Sequence, residues 1–138
     1  MNRLTRKEVR FLAEDWRFWA RPDQLAPGTG WTTWLVLGGR GAGKTRAGAE
    51  WIAGEVAAAR AGRIALVGET LADAREVMID GPSGLRTIAR DADQPRYEVT
   101  RKRLLWPNGA VAHVFSAGEP DSLRGPQFDA AWGDELAK

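Results

Sequence analysis

Hydrophobic residues recur at helical spacing over residues 5–20, where Val9, Leu12, Ala13, Trp16 and Trp19 fall on one face. Thr5 and Glu8 ahead of them have capping-box spacing. The pattern predicts an amphipathic helix. It breaks at residues 22–30, PDQLAPGTG, which read as a linker. Residues 31–37, WTTWLVL, predict a strand running straight into glycines. A helix follows over residues 44–60, with Gly48, Trp51, Ile52, Val56 and Ala59 as its inward stripe and Gly62 as its stop. The short apolar run RIALV, residues 63–67, suits a central parallel strand. Thr70 and Asp73 cap a short helix to Ile79, closed by Gly81 and Pro82. Two alternating runs then flank Pro107, Asn108 and Gly109, a hairpin signal that makes residues 96–115 antiparallel strands. The last predicted strand is FDAAW, residues 128–132.

Strand, helix, strand, helix, hairpin, strand is an α/β order: a mainly parallel sheet flanked by helices, with an inserted β-hairpin. With 138 residues, the chain has room for one domain and a real core. The division expected is an N-terminal helix and linker at 1–30 and an α/β domain at 31–138. A doubly wound sheet ordinarily continues past its last predicted strand, so the domain is expected to be incomplete, a truncated one.

Composition removes several chemistries. There is no cysteine, which excludes thiolate nucleophiles, disulfides and Cys-ligated zinc. His113 is the only histidine, and it sits in the alternating run AVAHVF, where a half-exposed strand residue is the simplest reading. No apolar run approaches the ~18 residues of a membrane span. The basic N-terminus lacks the apolar stretch of a secretory signal, so a cytoplasmic protein with no membrane partner is expected. A net charge of +2 decides nothing about nucleic acid. Only Arg101, Lys102 and Arg103 form a tight basic run, read as a solvated hairpin edge or as a nucleic-acid contact.

The chemistry lies at the strand-to-helix junction. Gly38, Gly39, Arg40, Gly41, Ala42, Gly43, Lys44 and Thr45 match G-x-x-x-x-G-K-[ST]. Glycines let backbone N–H groups approach phosphate oxygens, and the following helix adds its positive dipole end. Lys44 would reach the β- and γ-phosphates of ATP, and the Thr45 hydroxyl would hold Mg²⁺. Downstream, FDAAWGDE places Asp134 and Glu135 after an apolar strand. That is the pattern in which Asp134 binds Mg²⁺ and Glu135 polarises the attacking water. Adjacent Asp and Glu favour hydrolysis over transfer. Arg40 in the loop and Arg124, eleven residues before Glu135, are candidates to stabilise charge on the transferred phosphoryl group, or simply partners of local carboxylates.

The blocks WTTWLVLGGRGAGKTRAGAEW, RIALVGETLADAREVM and LLWPNGAVAHVFSAGEPDSLRGPQFDAAWGDELAK together resemble the large subunit of phage terminases, of the prophage and gene-transfer-agent type. The resemblance runs from residue 31 onward. It implies a P-loop NTPase fold of the additional-strand type. It implies an ATP-hydrolysing motor that threads double-stranded DNA into a procapsid, working in the bacterial cytoplasm at the portal. Partners implied are the portal protein, the small terminase subunit and further copies in a ring. Arg40 matches a cis-acting arginine of the phosphate loop, and Arg124 one proposed to reach a neighbouring subunit's ATP. Lys44, Thr45, Asp134 and Glu135 match the ATPase motifs. The family's C-terminal nuclease domain has no counterpart here, so nuclease activity is not expected of this chain. A GTPase would carry N-K-x-D, which is absent. A helicase-like P-loop ATPase and an inactive truncated remnant are the alternatives.

Overall fold

The computed structural model describes residues 3–136. Met1 and Lys138, the outer limits of the two segments assigned from sequence, lie outside the described residues. The predicted capping box opens helix α1 (Arg6–Glu14): the Thr5 hydroxyl accepts the Glu8 N–H at 3.2 Å, and the Glu8 carboxylate accepts the Thr5 N–H at 2.7 Å. The single predicted helix is two. Asp15 turns extended, ends α1, and caps a short helix α2 (Trp16–Trp19) by accepting the Arg17 N–H. Neither helix buries a residue, and Val9 and Trp19 stay 52% and 62% exposed. The amphipathic stripe exists, but the domain covers little of it. Arg46 reaches over the Trp16 ring, and Arg90 pairs with Glu14 at 3.1 Å.

Helix α3 (Lys44–Ala57) follows the glycine loop. Its inward stripe is Ala47, Ala49, Ile52 and Val56; of the expected stripe, Gly48 and Trp51 are half-buried and Ala59 is exposed. Gly48 is still a contact position, because a Cβ there would run into the Trp132 indole. The helix does not stop on Gly62. Ala59 takes the left-handed conformation at φ 56°, the Arg60 N–H returns to the Glu55 carbonyl at 2.9 Å, and the Ala59 N–H to Val56 at 3.0 Å. That is a Schellman closure with alanine where glycine is usual.

Strand β1 (Arg63–Gly68) is central. Helix α4 (Leu71–Asp73), capped by the Thr70 hydroxyl on the Asp73 N–H, passes into a π-helical turn at Ala74–Ile79. Helix α5 (Leu85–Ile88), not foreseen from sequence, follows. Strands β2 (Arg96–Glu98), β3 (Arg103–Leu105), β4 (Val111–Ser116) and β5 (Ala130–Gly133) complete a sheet of order β2-β3-β4-β1-β5. β1 pairs in parallel with β4 and β5, while β2, β3 and β4 pair antiparallel, so the sheet is mixed rather than mainly parallel. The hairpin predicted at Pro107, Asn108 and Gly109 joins β3 to β4, with Gly109 at φ 93°. Asn108 also donates to the Val56 carbonyl at 2.9 Å, tying the turn to the end of α3.

Residues 31–37 are not a strand. They run without a ladder, and Leu35 and Leu37 are 73% and 82% exposed. An apolar run becomes a strand only where a neighbour offers hydrogen bonds. Among the described residues β5 pairs with β1 alone, and residues 31–38 make no backbone–backbone bond. The core lies on one face of the sheet. Ile64, Leu66, Leu104, Ala112, Val114 and Trp132 pack there against Ile52, Val56, Met78, Ile79 and Leu85. On the opposite face the Phe128 ring contacts His113 and Phe115.

Candidate functional site

The glycine loop closes onto α3 through two left-handed residues, Gly41 at φ 76° and Gly43 at φ 79°. Side chains resist that region, and glycine does not. The turn presents successive backbone amides and ends at the positive pole of a helix of 14 residues. Lys44, the first helical residue, folds back over the loop. Its ammonium donates to the carbonyls of Gly38 and Gly39, both at 2.8 Å. A cation thus stands against the loop at the start of the helix, a combination that suits a phosphate chain.

One turn of chemistry away, the Thr45 hydroxyl donates to Asp134 Oδ2 at 2.9 Å. Asp134 is set just past β5, where its N–H extends the parallel ladder to the Val67 carbonyl at 3.0 Å. Glu135 follows at φ 51°, a conformation a non-glycine residue rarely adopts, and such local strain gathers at functional sites. Arg40, Asp134 and Glu135 line one cleft with Gly68, Glu69, Asp73, Val77 and Met78. The cleft opens at the carboxyl ends of β1 and β5, the side on which parallel sheets ordinarily receive ligands.

The structure therefore brings Arg40, Asp134 and Glu135 onto one cleft, with Thr45 bonded to Asp134 and Lys44 heading the same helix. It does not bring Arg124 there. That guanidinium is paired with Asp121 at 3.2 Å on the turn after Pro120–Leu123, with both side chains well exposed. Arg103 of the basic run pairs with Glu98 at 2.8 Å, which holds the Glu98 carboxyl below its usual range. His113 is a half-buried strand residue whose pKa is lowered by burial and by Arg103 and Arg63.

Sequence reasoning passed over four residues of this neighbourhood. Glu69 and Asp73 line the cleft, and the position of Glu69 just past a predicted parallel strand was a usable signal. Arg21 and Gln24 lie in what reads as a linker, yet both bond to the glycine loop: Arg21 Nη2 to the Ala42 carbonyl at 2.7 Å, Gln24 Nε2 to the Gly43 carbonyl at 3.2 Å. No periodicity marks them.

A family model described as "Terminase large subunit, T4likevirus-type, N-terminal" matches residues 35–138. No curated protein and no solved structure matches the chain. No helix among the described residues is long and apolar enough to cross a membrane.

Proposed function

Because the chain belongs to the family of N-terminal portions of the terminase large subunit, T4-like type, we propose that it is an ATP-hydrolysing motor module that drives DNA into a procapsid. Membership itself carries a role in DNA packaging, and the chemistry of the site points to ATP as its fuel. The observation that carries it is the Thr45–Asp134 bond, which joins the start of the phosphate-loop helix to the end of a parallel strand. In this reading the fold is a P-loop NTPase of the additional-strand type, and residues 31–138 form its ATPase domain.

The roles follow from the chemistry of the groups. The loop amides of residues 38–45 and the Lys44 ammonium bind the phosphates of ATP. The Thr45 hydroxyl and the Asp134 carboxylate are hard oxygen donors within bonding distance of each other, a pair that fits Mg²⁺. These two residues would hold the ion, whose chemistry there would be to neutralise charge on the phosphates. Glu135, beside Asp134 on the same cleft, orients water and accepts its proton. Arg40, which lines the same cleft, stabilises charge that develops on the phosphoryl oxygens. Arg124, exposed and absent from the lining of the cleft, acts in this reading on the ATP of a neighbouring copy in a ring. Double-stranded DNA, the portal and the small subunit are the proposed partners.

DNA-stimulated ATP hydrolysis by the wild type and by Lys44→Ala tests this. Loss of hydrolysis in the variant is expected. Hydrolysis indifferent to Lys44 would sink the proposal.

A further inference from the structure

We infer that Arg21 and Gln24 are positioning residues of the phosphate loop, so that the segment before it is part of the anion site rather than a linker. The inference rests on reading residues 38–45 as a phosphate cradle.

A peptide unit is planar and trans, so its carbonyl and its N–H point in opposite directions. Holding the oxygen on one side aims the hydrogen to the other. The Arg21 guanidinium holds the Ala42 carbonyl at 2.7 Å, which aims the Gly43 N–H away from Arg21. The Gln24 amide holds the Gly43 carbonyl at 3.2 Å, beside the Ala47 N–H that bonds the same oxygen at 3.0 Å, which aims the Lys44 N–H away from Gln24. These two amides begin the helix that would receive the phosphates. The donors are themselves fixed. Gln24 Oε1 accepts the Arg21 N–H at 3.1 Å, which leaves Nε2 facing the loop. Arg21 Nε is engaged by Asp23 at 3.2 Å, and the Pro22–Gln24 turn sets the spacing between the two side chains. Gln24 is 8% exposed and is the one buried polar residue among those described.

Gly43 fits the same account. A Cβ there would strike the Gln24 amide, so this glycine serves close approach as well as its left-handed φ. The bracing matters because no strand ladder supports the loop from its N-terminal side among the described residues. Arg21 and Gln24 supply, from side chains, restraint that a paired strand would otherwise supply.

The effect should be on the phosphates and not on the base. The test is affinity of the full 138-residue chain for Mg·ATP and, separately, for inorganic tripolyphosphate, with KM and kcat of hydrolysis. Arg21→Ala should weaken both ligands by about tenfold, the size of one charge-linked hydrogen bond, and Gln24→Ala by roughly three- to tenfold, the size of a neutral one, with kcat at saturation near the wild-type value. Gln24→Glu keeps the side-chain length but sets a carboxylate against the Gly43 carbonyl. It should weaken both ligands at least as much, which covers the case in which the alanine variant fails to fold. Arg21→Lys, which keeps one donor, should recover part of the loss. Lys44→Ala is the separate control on the cradle itself. If Lys44→Ala abolishes binding while the Arg21 and Gln24 variants bind normally, the bracing role is overturned and the cradle stands. A loss confined to ATP, with tripolyphosphate unaffected, also overturns it, because that is recognition of the base. If Lys44→Ala leaves binding of both ligands intact, the cradle falls and the bracing role with it.

Discussion

Thr45 Oγ1 and Asp134 Oδ2 lie 2.9 Å apart, although 89 positions separate the two residues in the chain. Their meeting depends on β5 pairing with β1 in parallel and on α3 crossing that sheet, so it is a product of the whole fold. In the proposed function this pair would hold a divalent cation. Thr45→Ser should keep the Mg²⁺ requirement of hydrolysis. Thr45→Ala and Asp134→Asn should raise the Mg²⁺ concentration for half-maximal rate by roughly 10–100-fold, read from a Mg²⁺ titration of ATP turnover. An unchanged midpoint in both would count against the pair as metal ligands.

Glu135 and Asp134 are adjacent, and the proposed function gives them separable tasks. Glu135→Gln removes a proton acceptor and keeps the shape of the cleft. Single-turnover hydrolysis should fall by about 10²–10⁴-fold, while binding of ATP stays close to wild type. Equal losses in binding and turnover would instead make Glu135 a binding group.

Ala59 ends α3 in the left-handed region at φ 56°. A Cβ in that region costs roughly 1–2 kcal/mol, and glycine avoids the cost at some expense in unfolded-chain entropy. Ala59→Gly should therefore stabilise the protein by about 0.5–1 kcal/mol. Denaturant unfolding would show it as a higher midpoint with an unchanged slope. A lower midpoint would mean that the closure gains something from the methyl group.

His113 pairs across the sheet with Arg103, beside Arg63 and the Phe128 ring, and its pKa is lowered by burial first and by the two arginines next. The unfolded histidine takes up a proton near its ordinary value of 6.5, and the folded one only at lower pH. Between those values the unfolded state binds more protons, so stability falls as pH drops below 6.5 and levels off once the folded residue also protonates. Glu50, whose pKa burial raises, acts with the opposite sign further into acid. Melting temperatures of wild type and His113→Gln across about pH 7.5 to 5.5 should thus converge as pH falls, the variant losing less. Parallel curves would exclude the histidine as the cause.

What could be read in the sequence was what neighbours in the chain decide between themselves. The Thr5–Glu8 box, the Asn108–Gly109 hairpin and the loop from Gly38 to Thr45 are local chemistry, and each has a local signature. Residues 31–37 show the limit of that reading. WTTWLVL has the composition of a strand, but a strand is a relation between two segments, and no partner lies beside it among the described residues. The same holds for α1 and α2: periodicity predicts one face for Val9 and Trp19, and only tertiary contact could bury either residue. Gly62 was the expected stop because glycine is the usual left-handed residue. The chain turned at Ala59 instead, since the bonds to Glu55 and Val56 outweighed the cost of a methyl group. In the site, Lys44, Thr45, Asp134 and Glu135 announced themselves by spacing, whereas Arg21 and Gln24 act on the loop from a segment whose composition says only that the chain bends.

The two sides of the glycine loop are secured differently, and this has a kinetic consequence. Behind it, the amides of α3 are held in a helix whose inner stripe belongs to the core, so their hydrogens exchange with solvent only when that core opens. Before it, residues 31–38 have no backbone acceptor among the described residues, so their hydrogens can exchange from the folded protein. An anion seated on the loop would bind across this boundary and draw the unladdered side into register with the helix. Occupancy of the site should then be readable as slowed exchange in residues 31–37, ahead of the loop that the ligand touches.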